Sequence, residues 1–149
     1  MQKGSEAPGG GGNSEVDIRI HHVGFAVDNI KEYLDRFLAP LVKPQSVSAT
    51  IEDPIQRVRV AFVKLEGGTI ELIEAMDDSS PVSEIVKKRR GGLYHLCFAT
   101  SQFDAMLVRF TNLGCLPLSD PVPAAAFGNR RLVFFLTPKR DLFELIETA

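Results

Sequence analysis

The alternation of apolar and polar residues predicts a β-strand at residues 18–27, around which the rest of the chain is organised. β-branched and aromatic residues dominate this segment, and Asp28-Asn29 favours a turn after it. Successive side chains of a strand point to opposite faces, so one face would form core with Val23, Phe25 and Val27. The opposite face would carry mostly small residues around one imidazole: Ile20, His22, Gly24 and Ala26.

The same pattern recurs 73 residues later at Leu93–Ala99, where His95 occupies the position of His22. The offset continues through three further segments, which align as Ile30 with Phe103, Leu34 with Leu107, Phe37 with Phe110, Val60 with Val133, Phe62 with Phe135, Val63 with Leu136, and residues 70–74 with 143–147. A chance match would not keep one offset across four elements. The sequence therefore indicates an internal duplication.

Each half predicts the element order β-α-β-β-β. The first half would contain the strand described above, a helix from Asn29 to about Leu41, and strands at Ser46–Ile51, Gln56–Leu65 and Thr69–Ala75. The second half would contain a strand through His95, a helix from about Gln102 to Leu113, an edge strand near Leu116–Val122, and strands at Arg130–Leu136 and Leu142–Thr148. We expect an α+β fold with two tandem modules, whose curved mixed sheet surrounds a central cavity.

The modules would form one domain at residues 18–149, with module one at 18–76, a linker helix at 77–91 and module two at 92–149. The linker helix would begin at Pro81 and end in the basic run before Gly91. Residues 1–17, which include four consecutive glycines, are expected to form a disordered tail.

Composition narrows the classes of function. A chain of 149 residues with 44% hydrophobic residues suits one soluble domain, and a net charge of −2 argues against nucleic acid or an anionic membrane as partner. No apolar run approaches the roughly 20 residues of a membrane span, and the N-terminus lacks a secretory signal, so we expect a cytoplasmic protein. Cys97 and Cys115 fit no metal or redox motif, so we expect both to be reduced and mostly buried.

Four polar residues fall on the face opposite the predicted core: His22, Glu71, His95 and Glu144. Each histidine lies 49 residues before its carboxylate, and the duplication places the two pairs in equivalent positions. Imidazoles and carboxylates in one cavity form a ligand set for a transition metal. Because His21 and His22 are adjacent on a strand, only one should face the cavity, and the repeat selects His22.

The duplicated pattern resembles the vicinal oxygen chelate superfamily of glyoxalases, bleomycin resistance proteins and extradiol dioxygenases, and within it the methylmalonyl-CoA epimerases. The resemblance rests on seven segments: His22–Asp28, Gln56–Phe62, Ile70–Glu74, Asp78–Val82, Gly92–Leu96, Thr137–Lys139 and Phe143–Leu145.

The resemblance implies a divalent metal with four protein ligands: His22, Gln56, His95 and Glu144. Glu71, which the alternation selects instead of Gln56, would be an alternative ligand or lie just outside the ligand set. The donor types suit cobalt, nickel, manganese, zinc or iron(II). The metal would chelate a 2-methylmalonyl thioester and stabilise the enolate formed when the C2 proton leaves, with Glu144 as a candidate catalytic carboxylate.

Further residues would contact the small-molecule substrate: Ser48, Thr50, Arg57 and Arg130. The arginines could pair with a carboxylate or a CoA phosphate, or equally be solvated residues at strand edges. Small two-module members of the superfamily are often homodimers, and we expect exposed strand edges at Ile18 and Pro117 to favour pairing.

The segment before Gln56 departs from the family pattern. The family carries a glutamate about seven residues before this position, where this chain has Val47-Ser48-Ala49-Thr50. Two alternatives therefore stay open: a glyoxalase- or dioxygenase-like enzyme with a diverged biosynthetic substrate, and a non-catalytic, resistance-type binding protein.

Overall fold

Nine strands form one curled mixed sheet in the computed structural model, which describes residues 15–149. The strands are β1 (Arg19–Val27), β2 (Ile51–Asp53), β3 (Val58–Leu65), β4 (Gly68–Ala75), β5 (Gly92–Thr100), β6 (Leu116–Pro117), β7 (Val122–Ala124), β8 (Arg130–Leu136) and β9 (Leu142–Glu147). Their order is β2-β3-β4-β1-β5-β9-β8-β6, and β7 pairs with β8. The expected α+β fold with two modules is confirmed.

Three helices accompany the sheet: α1 (Ile30–Tyr33), α2 (Ser83–Arg89) and α3 (Phe103–Asn112). Helix α1 continues as a π-helical turn at Leu34–Leu38, and its N-cap residue Asn29 accepts a hydrogen bond from the Glu32 amide. Short 3₁₀ turns occur at Pro44–Ser46 and Ala125–Phe127. The helices α1 and α3 are the equivalent helices of the two modules, whereas α2 links the modules.

The two modules meet where β1 pairs antiparallel with β5. Within each module the first strand pairs parallel with the last, which is β1 with β4 and β5 with β9. Strand β1 is therefore central, so Ile18 does not precede an edge strand, whereas Pro117 lies at the sheet edge as expected. The seam between the modules lies in the middle of the sheet.

The duplication is present, but its offset is not 73 throughout. Val60 pairs with Ile73 and Leu132 pairs with Ile146, so Leu132, and not Val133, is the equivalent of Val60. The offset is 72 between β3 and β8, 71 between β2 and β7, and 73 between β1 and β5 and between β4 and β9. The aligned pairs predicted for β3 and β8 are therefore wrong by one residue, because one residue fewer lies between the helix and the third strand of module two.

The two less regular strands differ from the prediction. The expected strand at Ser46–Ile51 is wrong, because the strand begins at Ile51. Before it, Val47 makes one isolated bridge with Val63, and the Ser48 hydroxyl accepts a hydrogen bond from the Phe62 amide. The expected edge strand at Leu116–Val122 is broken into β6 and β7. Pro121 lacks the amide hydrogen that a continuous ladder would need.

Two hydrophobic layers cover the sheet, and the concave layer contains the more deeply buried residues of β1. His22 and Ala26 are 0% and 1% exposed, whereas Val23 and Phe25, which the alternation assigned to the core, are only half-buried. Helix α1 covers the convex face of module one and α3 that of module two. The predicted first helix to about Leu41 is too long by three residues: it ends at Leu38, and Leu41 beyond it is 76% exposed.

The predicted tail lies mostly outside the described residues. Within the part that is described, Val16 packs against the apolar cluster beneath α3, and Asp17 accepts a hydrogen bond of 2.9 Å from the Ser101 amide. Val16 and Asp17 thus contact the folded domain, and the disordered tail stays a prediction for residues 1–14. Between residues 15 and 149, no helix has both the length and the apolar character that a membrane crossing requires.

Replacing Gly91 with alanine should lower the free energy of unfolding by about 3 kcal/mol or more. Gly91 has φ +95°, and a Cβ there would lie 2.3 Å from the carbonyl oxygen of Ala26. Gly92→Ala is the matched control, since Gly92 has φ +116° and open space around it. Chemical denaturation should show the smaller loss for Gly92→Ala. Equal losses would show that the contact with Ala26 is relieved at little cost.

Candidate metal centre

Four side chains converge on the concave face, one from each of the four central strands. Glu71 lies on β4, His22 on β1, His95 on β5 and Glu144 on β9. All four are buried, with exposed fractions between 0% and 6%. The grouping that strand alternation predicted is therefore present in the fold.

The register explains how the four residues meet. One row across the sheet contains Glu71, Gly24 and His95, and the neighbouring row contains His22, Cys97 and Glu144. In each row a small residue lies between the imidazole and the carboxylate. Gly24 and Cys97 are equivalent positions of the duplication, so the two rows are related by the pseudo-symmetry of the modules.

The donor atoms of the four residues lie close together. The two Nε2 atoms of His22 and His95 are 2.9 Å apart. Glu71 Oε2 lies 3.0 Å from His22 Nε2 and 3.4 Å from His95 Nε2. Glu144 Oε2 lies 3.3 Å and 2.7 Å from the same two atoms. Both carboxylates therefore face both imidazoles.

These distances fit a small divalent cation. An ion with bonds of about 2.0–2.2 Å would hold neighbouring donors about 2.8–3.6 Å apart in octahedral or tetrahedral geometry. The donor set also fits by charge, because two carboxylates offset one dication. Buried Glu144 Oε2 faces both imidazole Nε2 atoms, as an oxygen placed to receive a cation between them would.

The carboxylates change the protonation of both imidazoles. Burial lowers the pKa of His22, but hydrogen bonds to Glu144 and Glu71 outweigh burial and raise this pKa to about 9. Burial also lowers the pKa of His95, but the charges of Glu144 and Glu71 and their hydrogen bonds outweigh burial and raise this pKa. For Glu144, burial raises the pKa, but the charge of His95 and the histidine hydrogen bonds outweigh burial and lower it.

In the metal-free protein, these contacts should make stability fall as the pH rises. The pKa of His22 is about 9 in the fold against 6.5 ordinarily, so its contribution is complete below pH 6.5 and is lost through pH 9. The difference corresponds to on the order of 3 kcal/mol. Denaturation at a series of pH values should show this loss in the wild type and a smaller one in His22→Ala. A wild-type stability that rises from pH 6.5 to 9 would contradict this account.

Gln56 lies beside the four-residue cluster, in the turn between β2 and β3. It lines the same cavity as Glu71, His95 and Glu144, and its amide Nε2 donates to Asp53 Oδ2 at 2.9 Å. This contact fixes the orientation of the amide, because its nitrogen, and not its oxygen, faces Asp53. Glu71 is the second carboxylate of the close cluster of imidazoles and carboxylates, and Gln56 lines the cavity beside it.

Asp53 is a third carboxylate on the cavity wall, and it is not among the candidates that the sequence pattern indicates. The residue is 1% exposed and accepts four hydrogen bonds: from the amides of Ile55, Gln56 and Ala125 and from the Gln56 side chain. The Ala125 bond joins β2 of module one to module two. Asp53 is the last residue of β2, and its carboxylate caps the turn that follows.

The residues expected to contact substrate are not all at the cavity. Ser48 and Thr50 are exposed, and the Ser48 hydroxyl is engaged by the Phe62 amide and the Ala49 carbonyl. Arg130 is exposed and does not line the cavity. Arg57 has φ +58° and lines a neighbouring groove. Only Arg57 of these four lies next to the candidate site.

Two other arginines form equivalent ion pairs outside the cavity. Arg59 bonds Glu52 and Glu74, and Arg131 bonds Asp104 and Glu147. The pairs Arg59–Glu74 and Arg131–Glu147 correspond under the offset of 72 in the third strands. Both arginines are therefore occupied on the convex side of the sheet.

The cavity itself is small, and a larger groove adjoins it. Its volume of about 30 Å³ is enough for a water molecule or an ion but not for an acyl group. The groove of about 400 Å³ shares four wall residues with the cavity: Gln56, Pro81, Tyr94 and Phe134. The cavity and this groove are therefore neighbours across one wall.

Aromatic rings enclose the two imidazoles. Phe62 lies edge-on to His22 at 5.8 Å and Phe134 edge-on to His95 at 5.3 Å, as equivalent residues of β3 and β8. Phe127, from the 3₁₀ turn of module two, stacks on His22 at 5.8 Å. Phe127 is not indicated by the sequence pattern, because a short turn between two strands leaves no periodic signal.

Comparisons with known proteins agree with this arrangement. The family model of the glyoxalase/bleomycin resistance protein/dioxygenase superfamily matches residues 20–134. The mitochondrial methylmalonyl-CoA epimerase of Mus musculus is 30% identical over 122 residues, which are 81% of this chain and 66% of the mouse protein. The chain thus matches about two thirds of that relative. The ethylmalonyl-CoA/methylmalonyl-CoA epimerase of Cereibacter sphaeroides is 27% identical over 122 residues, or 81% of this chain and 89% of the relative.

Solved structures of methylmalonyl-CoA epimerases are also similar to this chain. Methylmalonyl-CoA epimerase of Mycobacterium tuberculosis has a TM-score of 0.71 and 26% identity, with 93% of this chain and 92% of that chain covered. A variant of the Streptomyces coelicolor methylmalonyl-CoA epimerase in complex with 2-nitronate-propionyl-CoA has a TM-score of 0.75 and 26% identity. That comparison covers 91% of this chain and 99% of the other.

Proposed function

Because the chain belongs to the glyoxalase/bleomycin resistance protein/dioxygenase superfamily, we propose that it is an epimerase that inverts C2 of a methylmalonyl-CoA-like acyl thioester. The observation that carries this proposal is the buried cluster of two imidazoles and two carboxylates, to which each module contributes one of each. Relatives named methylmalonyl-CoA epimerase support the choice of substrate.

The cluster would hold a divalent metal ion through His22, His95 and Glu144, with Glu71 as the fourth ligand. Gln56 would face the cavity from outside this set, with its orientation maintained by Asp53. The ion would polarise two oxygens of the substrate and stabilise negative charge after C2 loses its proton. Cobalt, nickel, manganese, zinc and iron(II) all suit this donor set.

Asp53 would act as one partner in proton transfer at C2. Glu71 and Glu144 each contact both imidazoles, so Asp53 is the cavity carboxylate left outside the cluster. All its hydrogen-bond partners are N–H donors, which suit a carboxylate and not a carboxylic acid. Glu144 remains the candidate for the opposite face, and epimerisation needs one group on each face.

Isotope exchange tests the proposed reaction directly. Protein loaded with each candidate metal is incubated with 2-methylmalonyl-CoA in deuterated buffer, and deuterium at C2 is measured by mass spectrometry. We expect incorporation well above the uncatalysed rate, and its loss in Asp53→Asn with metal content unchanged. Exchange no faster than the uncatalysed rate with every metal would reject this substrate. Full exchange in Asp53→Asn would reject Asp53 as a base.

The adjoining groove would receive the rest of the thioester. Its wall combines apolar residues with the exposed guanidinium of Arg57, which suits a chain ending in phosphates. The cavity is too small for the acyl group, so the wall shared by cavity and groove would open when substrate binds.

Arg57→Ala should raise KM for the acyl-CoA substrate roughly 10- to 100-fold and leave kcat nearly unchanged, because a charge-assisted contact is worth about 1.5–3 kcal/mol. Arg109→Ala, an exposed arginine on α3, is the matched control for loss of one positive charge. Steady-state kinetics at two salt concentrations separate the two variants. An equal change in both would point to overall charge and not to a contact in the groove.

Two other functions fit the superfamily. A glyoxalase- or dioxygenase-like enzyme with a diverged substrate would use the same four donors, and iron dependence with oxygen consumption would identify the oxygenase branch. A non-catalytic binding protein need not contain stoichiometric metal, so elemental analysis of native protein distinguishes it from both enzymes.

The protein would assemble as a homodimer through an edge of the sheet. Strand β6 is the last strand, and its Leu116 is 61% exposed. Light scattering on the purified protein measures the mass directly, and a monomeric mass at micromolar concentration would reject this assembly.

A further inference from the structure

A bulge in β1 places His21 beside His22 instead of on the opposite face. The register between β1 and β5 shifts between Ile20 and His22, so His21 is an extra residue on its strand. Its Nδ1 lies 2.8 Å from His22 Nδ1, and the two ring centroids are 5.1 Å apart. The rule that adjacent strand residues face apart does not apply at this point: His22 belongs to the four-residue cluster, and His21 lies beside His22.

The proposed metal role decides which ring donates. Two imidazole nitrogens at 2.8 Å share one proton, so one Nδ1 donates and the other accepts. His22 Nε2 faces Glu71, Glu144 and His95, and a metal ligand must leave that nitrogen free of hydrogen. His22 would then carry its proton on Nδ1 and donate a hydrogen bond to His21, which would be the acceptor.

The surroundings of His21 suit an acceptor. The ring is half-buried and lies edge-on to Phe127 at 5.4 Å. Contacts with His22 on one side and Phe127 on another hold the ring in place, with its Nδ1 toward His22.

Module two has no counterpart of this contact. Tyr94 occupies the position equivalent to His21, and its ring lies edge-on to His95 at 5.3 Å. Among the described residues, buried His95 Nδ1 has no hydrogen-bond partner. Both modules therefore have the candidate histidine ligand, but among the described residues only His22 has a hydrogen-bond partner at its Nδ1.

We propose that His21 is a positioning residue, which accepts a hydrogen bond from His22 Nδ1 and thereby orients His22 Nε2 toward the metal site. The proposal rests on the metal-binding role proposed above. Partners of this kind, just outside the ligand set, typically change metal affinity 10- to 100-fold.

The alternative role for His21 is as a ligand of a second metal ion. The nitrogens of His21 and His22 and the sulfur of Cys97 lie within 4.8 Å of one another, which is close enough for a second ion bridged by His22. Burial raises the pKa of the Cys97 thiol, which disfavours the thiolate that such an ion would need. The hydrogen bond is therefore the assignment that we favour.

The first test examines the hydrogen bond itself. In ¹⁵N-labelled protein, a scalar coupling across the hydrogen bond should connect the two Nδ1 nuclei, both without metal and with one equivalent of Zn²⁺. Absence of this coupling in both forms would overturn the proposal. A protein that shows the coupling but binds no Zn²⁺ would support the hydrogen bond and contradict the proposed metal site, so the two failures are distinguishable.

The second test compares two replacements of His21. Asparagine can place its Oδ1 near the position of Nδ1 and accept the bond, whereas phenylalanine keeps a ring without an acceptor. Competition titrations with Zn²⁺ and Co²⁺ should show a 10- to 100-fold weaker Kd for His21→Phe and less than about a threefold change for His21→Asn. Tyr94→Phe, at the equivalent position, should leave the Kd for both metals unchanged.

Three results of the metal titrations would also overturn the proposal. They are a wild-type Kd in His21→Phe, equal losses in His21→Phe and His21→Asn, and two Co²⁺ ions per chain with a thiolate absorption band that Cys97→Ala abolishes. The last result would make His21 a ligand and not a positioning residue.

Discussion

Gly24→Ala should weaken metal binding at least about 100-fold and abolish exchange at C2, although the fold is retained. A Cβ at this position would lie 2.3 Å from His95 Cε1 and 2.4 Å from its Nδ1. The His95 ring packs directly over the Gly24 backbone, so an added methyl group must displace the ring. Loss of a ligand should exceed the 10- to 100-fold effect of losing an outer partner.

Cys97→Ala is the matched control for this variant. Cys97 holds the equivalent position in the second row, between His22 and Glu144, and already carries a Cβ. Alanine there removes only the sulfur, so the metal affinity should stay within a few-fold of the wild type. Zn²⁺ titration and circular dichroism of both variants separate a displaced ligand from a misfolded protein. A Gly24→Ala protein with normal metal affinity would show that His95 is not a ligand.

Glu71→Ala should lose metal as completely as Glu144→Ala, whereas Gln56→Ala should keep it. Glu71 Oε2 lies 3.0 Å from His22 Nε2 in the close cluster, whereas the Gln56 amide is bonded to Asp53. Removing a carboxylate ligand takes away both a donor and one of the two charges that offset the dication. Removing Gln56 takes away only a group on the cavity wall.

Elemental analysis after dialysis gives the metal content of the three variants, and their Kd values rank the donors. His22→Ala and His95→Ala should each lose stoichiometric metal and set the scale for a lost ligand. A Gln56→Ala protein without metal beside a Glu71→Ala protein with metal would reverse the assignment. Gln56 would then be the fourth ligand, as the family resemblance implies.

The strand alternation was sufficient to find the four clustered residues. Glu71 and Glu144 lie on regular strands, and His22 and His95 keep the period of two along β1 and β5 beyond the bulges beside them, so parity assigns all four to one face. The duplication then joins the two pairs, because equivalent strands of two modules meet at one seam. The periodic parts of the sequence therefore predicted both the fold class and the centre of the site.

The residues that were missed lie where the period breaks. His21 lies in a bulge, which inserts one residue and changes the face on which its neighbours lie. Asp53 lies at the end of a short strand before a proline, a pattern that also fits a turn. Phe127 lies in a 3₁₀ turn of three residues, which is too short to show a helical period. Tertiary contacts, and not local pattern, determine all three positions.

The seam between β1 and β5 gives a bound ion a mechanical role. Two donors come from each module, so an ion among them would cross-link the halves of the chain at the centre of the sheet. Its binding free energy would add to the resistance of these strands to local opening. Backbone amides along this pair of strands would then exchange with solvent more slowly in the loaded protein, whereas the outer strands β2 and β6 would exchange as before.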